Sequence, residues 1–90
     1  MNDIDKTIHR ILATVREINK RDIGSFDFRV SGYGVDVVVE EWLGTKPGEV
    51  LALGRKWEAH DGNSMLARLR KINIDLMRIL AEGQAKKVVA

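Results

Sequence analysis

The segment EVLALGRKWEAH, residues 49–60, can be laid out in two ways, and the fold depends on which holds. As a strand it puts Leu51, Leu53 and Trp57 on one face, because successive side chains alternate. As a helix it aligns Val50, Leu53 and Trp57. Gly54 weakens both layouts, and the helix more, since a glycine inside a helix costs about 1 kcal/mol relative to alanine. The turn Gly44-Thr45-Lys46-Pro47-Gly48 stands immediately before it. A tight Pro-Gly turn directly after a strand favours an antiparallel return, so the segment is expected to be a third strand.

Two strands are expected upstream. Phe26, Phe28 and Val30 alternate with Asp27 and Arg29, and Val35, Val37 and Val39 alternate with Asp36, Val38 and Glu40. Ser31-Gly32-Tyr33-Gly34 supplies the hairpin turn. Before them, Ile4, Ile8, Ile11, Val15 and Ile18 form one stripe of an amphipathic helix over about residues 3–21, capped by Asn2 or Asp3 and stopped at Gly24. After residue 60, Asp61, Asn63 or Ser64 is expected to cap a second helix. Its buried stripe is Met65, Leu69, Ile72, Leu76, Ile79 and Leu80, and Gly83 is expected to end it. The fold class that follows is α+β. It is a two-layer α-β-β-β-α domain, with a three-stranded antiparallel meander packed against two helices. Residues 1–84 form that single domain, and residues 85–90 are expected to be a flexible C-terminal tail.

Ninety residues give one thin core, so association would help it. With no cysteine, disulfides, thiolate metal sites and a cysteine nucleophile are excluded. Apolar runs are only a few residues long, which argues against a bilayer span, and the polar start MNDIDKTIHR lacks an apolar signal region. A cytoplasmic protein with no membrane partner is expected. The net charge is +2, unevenly spread. Residues 25–61 hold four basic and seven acidic groups, whereas residues 62–90 hold six basic and two acidic.

At 100° per residue, Lys6, His9, Arg16 and Lys20 fall opposite the first helix's stripe. Arg68, Arg70, Lys71 and Arg78 cover the outer side of the second. Lys6, Arg16, Lys20, Arg68, Arg70 and Lys71 are thus candidate phosphate contacts for a nucleic-acid partner. An ordinary solvated face is the competing account. Lys71–Asp75 and Arg78–Glu82 have the i,i+4 spacing of weak surface pairs, which would dilute the cluster. The order of elements is similar to that of the double-stranded-RNA-binding domain. In that family a Gly-x-Gly-x-Ser-type turn leads into a last helix whose lysines grip phosphates. The corresponding turn here is Asp61-Gly62-Asn63-Ser64, and Met65 and Leu66 stand where those lysines belong.

Two places read as protein contacts. Ala67, Ile74 and Ala81 recur every seven residues on the outward side of the second helix, flanked by Arg70 and Arg78. Small residues beside an exposed isoleucine and arginines resemble a narrow contact seam. Val38 and Trp42 are expected on the outer sheet face beside Asp27, Arg29, Asp36 and Glu40, where a tryptophan can anchor a partner. Stray exposed apolar residues, and a tryptophan folded over the sheet edge, are the plainer accounts. Either surface could also serve a homodimer.

Catalytic chemistry finds little support. His9 lies on a wet helix face. Glu58, His60 and Asp61 are neighbours, but a metal centre needs three or four converging ligands. The glycines fit hairpin turns and no phosphate loop follows. No cofactor, metal or catalytic residue is assigned, and the chain is not expected to be an enzyme. In size, absence of cysteine and polar two-layer plan it looks like the small protein-binding inhibitors and accessory proteins of bacteriophages and mobile elements, such as anti-CRISPR proteins. Nucleic-acid binding through the basic helical face is the alternative.

Overall fold

The computed structural model describes residues 2–31, 36–43 and 52–89, with side chains through Lys86. The elements are α1 (Asp3–Lys20), β1 (Ser25–Val30), β2 (Asp36–Leu43), β3 (Ala52–His60) and α2 (Met65–Val89). The expected α-β-β-β-α order is therefore the fold, and its sheet is an antiparallel meander in the order β1-β2-β3. Apart from Ser31, the two expected turns lie outside the described residues, as do Val35 and Leu51.

Helix α1 begins where Asn2 Oδ1 accepts from the Asp5 N–H at 2.8 Å. Asp3 and Asp5 sit in its first turn, where the helix dipole favours negative charge. It buries Ile11, Val15 and Ile18 together with Thr7, whose hydroxyl donates to the Asp3 carbonyl at 2.7 Å. Its end differs from expectation. The chain reverses at Asp22, which holds a left-handed φ of 56°, and not at Gly24. The Ile23 N–H returns to the Ile18 carbonyl at 3.0 Å, and the Asp22 N–H to that of Asn19 at 3.2 Å. That pair of bonds is a Schellman closure, with aspartate in the place that glycine usually takes.

Cross-strand partners share a face of the sheet. Phe28 pairs with Val39, Val37 with Ala59, and Val39 with Trp57, which defines the face turned to the helices. Helix α1 rests on the β1 side and α2 on the β3 side, and the helices pack against each other. Val37, Val39, Ala59 and Phe26 join Ile11, Val15, Ile18, Met65, Leu69, Ile72 and Leu76 in one core. Burying most of an isoleucine or leucine side chain stabilises by about 1.5–3 kcal/mol, so these residues dominate the fold's stability.

Strand β3 is extended, as expected, yet Leu53 and Trp57 do not share a face. The register shifts between Glu40 and Trp42: Lys56 pairs with Glu40, but Leu53 pairs with Trp42. Gly54 and Arg55 together oppose the single residue Glu41. This bulge breaks the alternation, sending Leu53 to the outer face while Trp57 stays inward. Glu41 secures it. Its carboxylate accepts the Arg55 N–H at 3.1 Å and both arms of the Arg55 guanidinium at 2.9 Å.

At the edge of β1 the Asn19 side chain acts like a short piece of strand. Its amide donates to the Phe26 carbonyl at 2.9 Å and accepts the Phe26 N–H at 2.8 Å.

Helix α2 buries Met65, Leu69, Ile72 and Leu76 of the expected stripe, with Ile79 and Leu80 half-buried, but does not stop at Gly83. It runs on to Val89, so the backbone of the segment expected as a tail, up to Val89, is helical. Gly83 marks a crossing instead. A Cβ there would collide with the Ile23 side chain in the α1–β1 turn. Glycine lets the helix lie directly on that turn, at the cost of some helix propensity.

Candidate interaction surfaces

Three surfaces concentrate polar or exposed apolar groups. The outer sheet face carries Asp27, Arg29, Asp36, Val38, Glu40 and Trp42, as expected, joined by Lys56, Glu58 and His60 from β3. Most of its charges are coupled. Arg29 hydrogen-bonds Glu40, which is only 7 % exposed despite facing outward. Lys56 pairs with Glu58 at 2.9 Å. His60 sits between Asp36, at 2.9 Å from Nδ1, and Glu58, at 3.3 Å from Nε2. The hydrogen bond with Asp36, then that with Glu58, raises the His60 pKa above its ordinary value near 6.5. The Glu58 carboxyl is held below its ordinary range, first by Lys56 and then by His60. Asp36, and not the neighbouring Asp61, thus completes the cluster around His60. Among the described residues no three side chains converge as metal ligands. Val38 and Trp42 are half-buried on this face, with Leu53 exposed opposite Trp42.

The second surface is a shallow cleft between β3 and α2, lined by Arg55, Trp57, Asp75, Arg78, Ile79 and Glu82. Trp57 is half-buried in it. Its ring stacks on Phe26 with centroids 5.9 Å apart, and the Arg55 guanidinium stands 5.5 Å from the ring centroid. Its Nε1–H donates to Asp75 Oδ2 at 3.3 Å. The hydrogen bond from Arg55 is the main cause holding the Glu41 carboxyl below its ordinary range.

The third surface is the outer face of α2. Arg68, Arg70, Lys71 and Arg78 are all exposed on this helix. Neither expected i,i+4 pair forms: among the described residues Lys71 and Arg78 have no carboxylate partner, and Asp75 turns to Trp57 instead of Lys71. Ile74 is 56 % exposed and Met77 54 %. Ala67 and Ala81 are exposed above and below them. Met77 escaped the sequence reading, although its 3-4 spacing between Ile74 and Ala81 was a visible signal. On α1, Lys6, Arg16 and Lys20 are exposed. At the start of α2, Met65 is buried and Leu66 half-buried, so neither side chain stands free at the position where the double-stranded-RNA-binding family places its lysines.

Among the described residues no helix is long and apolar enough to cross a membrane. Comparison with protein-family models, with curated proteins and with solved structures finds no match.

Proposed function

We propose that this chain is a non-catalytic binding protein of the cytoplasm, of inhibitor or accessory type, that acts by docking on another protein through the outer face of α2. One observation carries this reading. Ile74 and Met77 stand exposed side by side on a helix whose other large apolar side chains through Lys86 are buried or half-buried, and cations with no carboxylate partner among the described residues flank them. Exposed apolar side chains bordered by arginine are the usual anchors of a protein contact. Val38 and Trp42 on the outer sheet face are the secondary surface, suited to an accessory contact or a homodimer.

A nucleic-acid partner is the second reading, favoured by the absence of carboxylate partners for Lys71 and Arg78 among the described residues. The apolar pair in the middle of the cations weighs against it, since phosphate oxygens gain nothing from Ile74 or Met77.

The test is a pair of variants in the full chain. Ile74→Asp is expected to abolish capture of the protein partner while leaving the melting temperature nearly unchanged. Joint charge reversal of Arg68, Arg70 and Lys71 is expected to leave duplex RNA and DNA binding negligible, as in the parent. Steeply salt-dependent duplex binding that disappears on charge reversal would favour the second reading instead.

A further inference from the structure

The outer face of α2 has a geometry that narrows the class of partner. Set around the helix axis at 100° per residue, Ala67, Ile74, Met77 and Ala81 lie within one quarter of the circumference. They run about 21 Å along the helix, at 1.5 Å per residue. Spacings of three, four and seven are those that mesh with a second helix, whose side chains enter the gaps between them. Alanines at both ends let a backbone come close, while Ile74 and Met77 supply the relief in the middle.

Charge then selects among helices. Arg70 lies within the same quarter, and Arg78 and Lys71 border it on one side. No carboxylate of α2 falls inside this arc. Asp75 lies further round, held by Trp57 at 3.3 Å, and Glu82 lines the β3–α2 cleft, whose rim Arg78 shares. A second copy of this chain seated here by two-fold symmetry would set Arg70, Lys71 and Arg78 against the same three cations. Like charges brought together in an interface are unfavourable, so self-association through this face is disfavoured.

Resting on the protein-docking reading above, we infer that the outer face of α2 receives an acidic amphipathic helix of a partner protein. Its apolar ridge lies on Ile74 and Met77 between Ala67 and Ala81, and its carboxylates meet Arg70, Lys71 and Arg78. The apolar ridge provides the affinity and the cations provide the orientation and the choice of partner.

A display library tests this directly. Peptides about 18 residues long, five helical turns, carry fixed apolar residues at 3-4 spacing and randomised flanks, and are selected on the full chain. Selected peptides are then titrated by anisotropy at low and physiological salt. The expected result is enrichment of Glu and Asp in the flanks, and affinity that falls with salt. Ile74→Asp and Met77→Asp should each weaken binding about tenfold or more. Lysine in place of the selected acids should bind the Arg70→Glu, Arg78→Glu double variant in preference to the parent. Selected peptides without acidic flanks that are still lost on Ile74→Asp would overturn the acidic-helix inference and leave protein docking standing. Acidic peptides indifferent to both Ile74→Asp and Met77→Asp would overturn the site. Failure to select any peptide, together with duplex RNA binding lost on reversal of Arg70 and Lys71, would overturn both.

Discussion

The outer sheet face and the outer face of α2 both meet solvent and both carry several charges, yet they are organised in opposite ways. On the sheet, Arg29 answers Glu40, Lys56 answers Glu58, and His60 bridges Asp36 and Glu58. On α2, Lys71 and Arg78 answer no carboxylate among the described residues, and two large apolar side chains stand between the cations. Cross-strand neighbours are brought within about 5 Å by the ladder itself, so opposite charges there meet without extra ordering of the backbone. A helix surface offers only its own i,i+3 and i,i+4 neighbours, and here one of those, Asp75, has been taken by Trp57. The sheet's charges serve the fold. Those of α2 make no such pairs among the described residues.

The comparison is sharpened most by Glu41, the carboxylate that holds the β3 bulge. Glu41→Ala removes three hydrogen bonds, two of them to a guanidinium, and is expected to destabilise the protein by about 1–2 kcal/mol. Chemical denaturation reads this out, and a loss below about 0.3 kcal/mol would show the bulge to be held by other contacts.

A smaller effect is expected at His60. Its pKa is raised in the folded protein, so its pairing with Asp36 and Glu58 stabilises at pH below about 6.5 and is lost as pH climbs through the raised folded value. An NMR titration should place the His60 midpoint above that ordinary value, and Asp36→Asn should lower it. A midpoint unmoved by Asp36→Asn would break the picture of a coupled sheet face. The smallest effects on stability belong to α2: alanine at Arg70, Lys71 or Arg78 should change unfolding free energy by no more than about 0.5 kcal/mol each. A larger loss at any of them would mean that α2's charges also serve the fold.

Much of this architecture was legible in residue periodicity. The isoleucine stripe of α1 and the period-two pattern of β1 and β2 reflect which side chains must leave water, and burial enforces that pattern strongly. Less legible were features set by contacts distant in sequence. Gly83 carries the composition of a helix stop, but what it answers is the Ile23 side chain sixty positions earlier. Asp75 sits at the right spacing for Lys71, yet an indole from β3 offered it a partner instead. The bulge was hidden because Gly54 is compatible with a regular strand, a bulge or a turn, and only the Glu41–Arg55 pairing decides among them. Val38 and Trp42 share the outer face because β2 keeps a regular register with β1 through Trp42, which alternation alone can follow. Ile74 is legible for the same reason on a helix, whereas Met77, beside it, falls outside the seven-residue repeat of Ala67, Ile74 and Ala81.

Asn19 has a consequence for solubility. A three-stranded sheet has two open edges, and an open edge is a template on which another chain can add a strand and begin a fibril. On β1 the first outward main-chain pair, at Phe26, is already satisfied by the Asn19 amide. Along β1 itself an incoming strand is left Phe28 and Val30 to pair with, a run shorter than the five or six residues of a typical strand. One side chain at the end of α1 thus shortens the stretch of this edge open to templated growth.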